Sequence, residues 1–161
     1  MSKFLKHSLK AVEESATIIK DYFKKIDYVY RKNKNYRDLV SEVDILSEQT
    51  ILEILKLKFE NHNFLAEESG FEDNGSDYTW IIDPLDGTVN YTRGLKMCAI
   101  SLALKFKSQT ILGIVYNPFS EELYYASEKK SAFLNGSEIN VSNNDKIKDC
   151  LIIGALPSES S

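Results

Sequence analysis

The residues best suited to chemistry lie in one short stretch, Trp80-Ile-Ile-Asp-Pro-Leu-Asp-Gly-Thr-Val-Asn-Tyr91. An apolar run ends at Asp83, so its carboxylate should emerge at the carboxyl edge of a strand, where ligands gather in α/β architectures. Pro84 has no N–H to donate and a fixed φ, so it is expected to break the strand ladder and turn the chain. Asp86 then stands where it could cap a helix or a single turn. Gly87 and Thr88 would present N–H groups there to a phosphate oxygen. Gly87 also permits close approach of backbone to ligand. Asp83 and Asp86, with the Leu85 carbonyl between them, form an all-oxygen donor set suited to adjacent hard cations.

Other chemistries fit this stretch less well. An isolated Asp-Gly-Thr is usually a turn. An EF-hand needs acidic residues at alternating positions and a distant glutamate, and the spacing here is wrong. A haloacid dehalogenase-type nucleophile would stand two residues before Asp86, and that position is Pro84. Two further segments add carboxylates. Leu65-Ala-Glu-Glu-Ser-Gly70 places Glu67 and Glu68 after a short apolar run, so one of them can point into the site of Asp83. Asp38-Leu-Val-Ser-Glu-Val-Asp44 reads as a helix start, with Asp44 as its cap.

The elements that must position these groups follow from periodicity. Phe4, Leu5, Val12, Ala16, Ile19 and Phe23 recur at helical spacing, which predicts an amphipathic helix from about Ser2 to Lys25. Tyr30-Arg-Lys-Asn-Lys-Asn-Tyr-Arg37 reads as a solvated loop. A second helix is expected from near Asp44 to about Asn61, with Leu46, Ile51, Ile54, Leu55 and Phe59 buried. Beyond it the pattern changes to strands: Phe64–Ala66, Thr79–Ile82, Ala99–Phe106, Ile111–Tyr116, Leu123–Ser127, Ala132–Leu134, Glu138–Val141 and Cys150–Ile153. Gly70–Asp77 reads as a loop, and Asn135-Gly136 as a tight hairpin turn. The expected class is α+β, with two N-terminal helices packed on a largely antiparallel sheet.

Composition narrows the partners. The chain has 161 residues, enough for one compact domain, and a formal net charge of −4. It lacks the basic stripe of a nucleic-acid binder, so no nucleic-acid partner is expected. A mildly acidic protein that handles a phosphate ester must borrow positive charge, and metal ions held on carboxylates would supply it. Cys98 and Cys150 stand far apart beside apolar residues and read as buried thiols, consistent with a reducing cytoplasm. No run approaches the roughly twenty apolar residues of a membrane span, and the N-terminus lacks a secretory signal.

Taken in order and spacing, Asp44, Glu67-Glu68-Ser69 and Trp80 through Tyr91 resemble the inositol monophosphatase family, and the whole chain reads as one domain of such an enzyme. Gly113-Ile-Val-Tyr-Asn-Pro118 and Ala132-Phe-Leu-Asn-Gly136 are similar to its sheet. Val89-Asn90-Tyr91 favours that side over the related bisphosphate nucleotidases, which tend to place a charged residue and Phe there. The resemblance implies the first half of a layered α/β sugar-phosphatase fold and a magnesium-dependent phosphomonoesterase acting on inositol or sugar phosphates. It implies that Glu67, Asp83 and the Leu85 carbonyl bind one Mg²⁺, and Asp83 with Asp86 a second. Thr88, paired with Asp44, would position the attacking water, and Glu68 is counted with them as catalytic. Leu85, Asp86, Gly87 and Thr88 would line the phosphate. The family's later Trp-Asp motif, which completes the second cation site, is not among these residues, so a core short of one ligand and most of the alcohol pocket is expected. An oligomer is also expected, because the missing half would leave sheet surface uncovered. Bisphosphate nucleotidase or fructose-bisphosphatase-like activity, or a non-catalytic metal-binding or assembly role, are the alternatives.

Overall fold

Ser2 starts the first helix: its hydroxyl accepts the Leu5 N–H at 3.2 Å, and α1 runs Lys3–Tyr22. The helix stops short of the expected Lys25: Phe23 leaves helical geometry with a ψ of 124°, and Lys24 follows at a left-handed φ of 61°. In this computed structural model the described residues are 2–25, 29–31, 39–128 and 131–152. Strands β1 (Val29–Arg31) and β2 (Leu39–Ser41) pair antiparallel, so the segment read as a loop at 30–37 begins inside a strand. Residues 32–38, Asp38 included, lie outside the described residues.

Helix α2 spans Glu42–Phe59 and begins before the expected Asp44. The cap is Ser41, and Asp44 sits a turn inside it, completing a reciprocal capping box. Val43, Ile51, Leu55 and Phe59 are buried, whereas Leu46 and Ile54 are only half-buried. The buried face of α1 is built of Ser8, Ala11, Val12, Ser15, Ala16 and Ile19. Small residues at these positions let α1 lie close against α2.

Next come β3 (Asn63–Ala66), β4 (Gly70–Glu72), β5 (Tyr78–Asp86), the short helix α3 (Thr88–Thr92) and β6 (Ala99–Phe106). Strands β7 (Gln109–Asn117), β8 (Glu122–Ser127), β9 (Ala132–Leu134) and β10 (Ser137–Ile139) complete the sheet. The eight strands lie in the order β10-β9-β8-β7-β6-β5-β3-β4. Every neighbouring pair is antiparallel except β3 and β5, which run parallel. The fold class is α+β, as the sequence implied.

One face of the sheet carries Trp80, Ile82, Ile100, Leu102, Leu104, Leu112 and Ile114 into a core shared with both helices. Each fully buried aliphatic side chain of this kind contributes about 1.5–3 kcal/mol. At one end, His62 stacks on Tyr78 at 4.7 Å and on Phe59 at 5.1 Å, and Phe4 of α1 packs on Phe59 at 5.4 Å. Burial, and then Lys3, hold His62 below the usual imidazole range. The other face bears an apolar groove of about 350 Å³ along Ser101, Ala103, Gly113, Val115, Tyr124 and Ala126.

Three further expectations need correction. Gly70–Asp77 is not wholly loop: β4 folds back on β3, pairing Ala66 with Gly70, because Glu67–Ser69 makes a tight turn. Cys150–Ile152 form no strand, and Leu151 is 90% exposed, since no described strand lies beside them to pair. Ile153 lies outside the described residues. Cys98 is buried as expected, but Cys150 is exposed, at the end of a 3₁₀ turn (Ile147–Asp149) whose own residues are all exposed. The Asn135-Gly136 turn joins β9 to β10, with both residues at positive φ, 49° and 83°.

Candidate metal centre

The parallel register of β3 and β5 builds the site. It sets Ala66 beside Ile82, so the next residues, Glu67 in the turn after β3 and Asp83 within β5, come side by side. The Glu67 N–H donates to the Ile82 carbonyl at 3.1 Å, which ties the turn after β3 directly to β5. Burial first, then the charge of Glu67, a hydrogen bond with Glu67 and the charge of Asp86, together push the Asp83 carboxyl up to about 7. The Leu85 N–H, 3.2 Å from Asp83 Oδ1, opposes the shift only weakly. Two carboxyls joined by a hydrogen bond must share a proton. A cation answers the same need for positive charge, and the donors are all oxygen, as Mg²⁺ requires.

Beyond Asp83 the strand does not stop at Pro84, contrary to expectation. It continues to Asp86, and the register shifts: Asp83 faces Ser101 and Asp86 faces Ala99, leaving one extra residue on β5. This is a β-bulge, and Pro84 fits it because the bulged backbone need not donate to the ladder. Leu85 is buried there, while Asp86 is exposed.

Asp86 is not the cap of the following helix. Gly87 is, with a φ of 94°, and its carbonyl accepts the Tyr91 N–H at 3.0 Å. A Cβ at Gly87 would lie 2.7 Å from the Met97 carbonyl oxygen, so both the dihedral and the contact demand glycine. Asn90 holds that same carbonyl at 2.9 Å, which fixes the chain leaving α3 against the turn. Tyr91 anchors α3 from below by donating to the Ile19 carbonyl at 2.7 Å.

Thr88 brings in the second helix. Its Oγ1 lies 2.7 Å from Asp44 Oδ1 and 3.0 Å from the Leu85 carbonyl. The other oxygen of Asp44, Oδ2, accepts the Ser41 N–H at 2.8 Å and the Ser41 hydroxyl at 2.5 Å. Asp44 is 2% exposed, and burial raises its pKa, offset in part by hydrogen bonds from Ser41 and Thr88. A buried carboxylate with a raised pKa accepts a proton more readily than a solvated one.

The structure therefore brings Glu67 and Asp83 together, sets Asp86 within reach of their charge, and joins Thr88 to both Asp44 and Leu85. Glu68 is held through its main chain. Its N–H and that of Ser69 donate to the two carboxylate oxygens of Glu48, at 2.7 and 2.9 Å. Sequence reasoning passed over Glu48, and over Ser41 as a partner of Asp44. The signal was present: Ser41, Asp44 and Glu48 recur at helical spacing on one face. Among the described residues, no three His, Cys, Asp or Glu side chains form a ready-made metal cage. The donor set is two touching carboxyls, a nearby third and a main-chain carbonyl.

Comparison with known proteins gives the family and the fold. A family model described as "Inositol monophosphatase family" matches residues 1–161. The chain is 35% identical over 160 residues to the fructose-1,6-bisphosphatase/inositol-1-monophosphatase of Aquifex aeolicus, covering 99% of this chain and 61% of that protein. It is 35% identical over 159 residues to an inositol monophosphatase of Mesembryanthemum crystallinum, covering 95% of this chain and 57% of that one. The crystal structure of the extragenic suppressor protein suhB from Bartonella henselae superposes with a TM-score of 0.87 at 29% identity, over 92% of this chain and 58% of that chain. The chain thus spans roughly three-fifths of the length of the relatives it matches.

Proposed function

Because the chain belongs to the inositol monophosphatase family, we propose that it forms the metal- and phosphate-binding part of a magnesium-dependent phosphomonoesterase acting on inositol or sugar phosphates. The observation that carries this reading is the meeting, at the end of β5, of the Glu67–Asp83 carboxyl pair with the Asp44–Thr88 hydrogen bond. Glu67, Asp83, Asp86 and the Leu85 carbonyl would hold the cations. Bound there, Mg²⁺ supplies Lewis-acid charge that acidifies water and offsets the charge of the leaving alkoxide.

The chain's own residues supply alignment and a proton path. Thr88 Oγ1 can accept a proton from an attacking water while passing its own to Asp44 Oδ1, 2.7 Å away. Burial of Asp44 makes it a better acceptor for that proton. The amides of Gly87 and Thr88 would receive phosphate oxygens at the glycine turn, where no side chain stands in the way. Phosphoryl transfer asks little more of a protein than charge and in-line placement.

The test is phosphate release from inositol 1-phosphate and from fructose 1,6-bisphosphate, with and without magnesium. It is run on this chain and on a chimera carrying the remaining length of the Aquifex aeolicus relative. Magnesium-dependent release by the chimera supports the reading, and its absence in a folded chimera overturns it. A second reading is a non-catalytic metal-binding or assembly role. It predicts that a folded, magnesium-binding chimera releases no phosphate from either substrate.

A further inference from the structure

The geometry points to Glu48 as the residue that positions Glu67 for cation binding, an inference that rests on the metal reading above. Glu48 is 3% exposed, on the face of α2 that meets the sheet. Burying a carboxylate is costly unless its oxygens are hydrogen-bonded. Both oxygens are used: Oε2 takes the Glu68 N–H at 2.7 Å and Oε1 takes the Ser69 N–H at 2.9 Å. Charge-assisted bonds to two consecutive amides fix the plane of a turn as well as its position.

The turn in question is the one that carries Glu67. Its three amides are taken in sequence, Glu67 by the Ile82 carbonyl on β5 and the next two by Glu48 on α2. The Cα of Glu67 is therefore set from two sides, by the sheet and by the helix. Asp44, one helical turn before Glu48, holds Thr88 at 2.7 Å. A single rigid helix thus fixes both the carboxylate that meets Asp83 and the hydroxyl that would meet water. Their separation is set by the 1.5 Å rise per residue of α2 rather than by either loop. With both carboxylate oxygens committed to the turn, Glu48 acts on the site through that turn.

The experiment compares Glu48→Gln, Glu48→Asp, Asp83→Asn and the core variant Ile51→Val in the purified chain. It measures magnesium affinity by calorimetric titration, and the exchange rates of the Glu68 and Ser69 amides by NMR. Glu48→Gln sets an NH₂ against one amide, and Glu48→Asp shortens the reach, so either variant serves if the other does not fold. The expected result is a loss of about 10–100-fold in magnesium affinity, with faster exchange at both amides. Ile51→Val, on the same helix, is expected to lower the melting temperature and leave affinity unchanged. A purely structural Glu48 would track melting temperature instead. Unchanged affinity in folded Glu48 variants, alongside its loss in Asp83→Asn, overturns the positioning role alone. Unchanged affinity in Asp83→Asn overturns the metal reading, and the positioning role with it.

Discussion

Thr88 Oγ1 lies 2.7 Å from Asp44 Oδ1, a hydrogen bond between residues 44 positions apart. It joins the turn after β5 to the first turn of α2, and it does so inside a capping box. Asp44 thereby serves the helix with one oxygen and the site with the other.

Removing that link should slow the chemistry. Thr88→Val and Asp44→Asn are expected to lower kcat for inositol 1-phosphate about 10²–10⁴-fold, the usual worth of a positioned proton acceptor. Thr88→Ser keeps the hydroxyl and should retain most of the activity. Steady-state phosphate release across the variants checks this, and a fully active Thr88→Val would remove Thr88 from the proton path.

Asp83→Asn should nearly abolish magnesium binding, because Asp83 is the group proposed to touch both cations. Glu72→Gln is the matched control. Glu72 is an exposed residue of β4 paired with Lys56 at 2.5 Å, and an exposed pair of this kind is worth about 0–1 kcal/mol. Calorimetric titration of both variants decides the matter.

The metal-free chain should lose stability as pH rises. In the unfolded chain Asp83 titrates near 3.9, and in the folded chain it is raised to about 7. A carboxyl raised on folding contributes stability that is fully present below its unfolded value and lost as pH climbs through its folded value. Between about pH 4 and pH 7, the melting temperature of wild type should therefore fall relative to Asp83→Asn. Saturating magnesium should remove the difference in slope for wild type. Thermal melts in chelator at several pH values measure it, and parallel curves for the two proteins would contradict it.

Gly87→Ala should destabilise more than Gly136→Ala. Both glycines sit at positive φ, 94° and 83°, where an L residue costs about 1–2 kcal/mol. Only at Gly87 does the new Cβ also strike backbone, 2.7 Å from the Met97 oxygen; at Gly136 nothing lies within 4 Å. Denaturant midpoints compare them. Equal losses would mean that the turn yields without strain.

Tyr91→Phe should cost about 1–3 kcal/mol, since it leaves the buried Ile19 carbonyl without the phenol that donates to it at 2.7 Å. Urea denaturation gives the number, and a neutral effect would show that water replaces the phenol.

What the sequence determined by itself is what local spacing encodes. Two helices could be read from the recurrence of Val12, Ala16 and Ile19 and of Ile51, Leu55 and Phe59, because a 3.6-residue period is written in neighbouring residues. Asn135-Gly136 announced its hairpin because both positions need positive φ. Asp83, Asp86 and the Leu85 carbonyl could be read as an oxygen donor set from residue types alone. Tertiary structure decided which carboxylates meet. Glu67 stands beside Asp83 because β3 and β5 run parallel with Ala66 opposite Ile82, and register between strands is a property of packing that no local spacing carries. The bulge at Pro84 and the contact behind Gly87 depend on Ser101, Ala99 and Met97, which arrive from later in the chain. Glu48 looked like any helix glutamate until the turn at Glu68 and Ser69 closed over it. Its role comes from two backbone amides, groups that every residue but proline possesses, so only their placement in space could single them out.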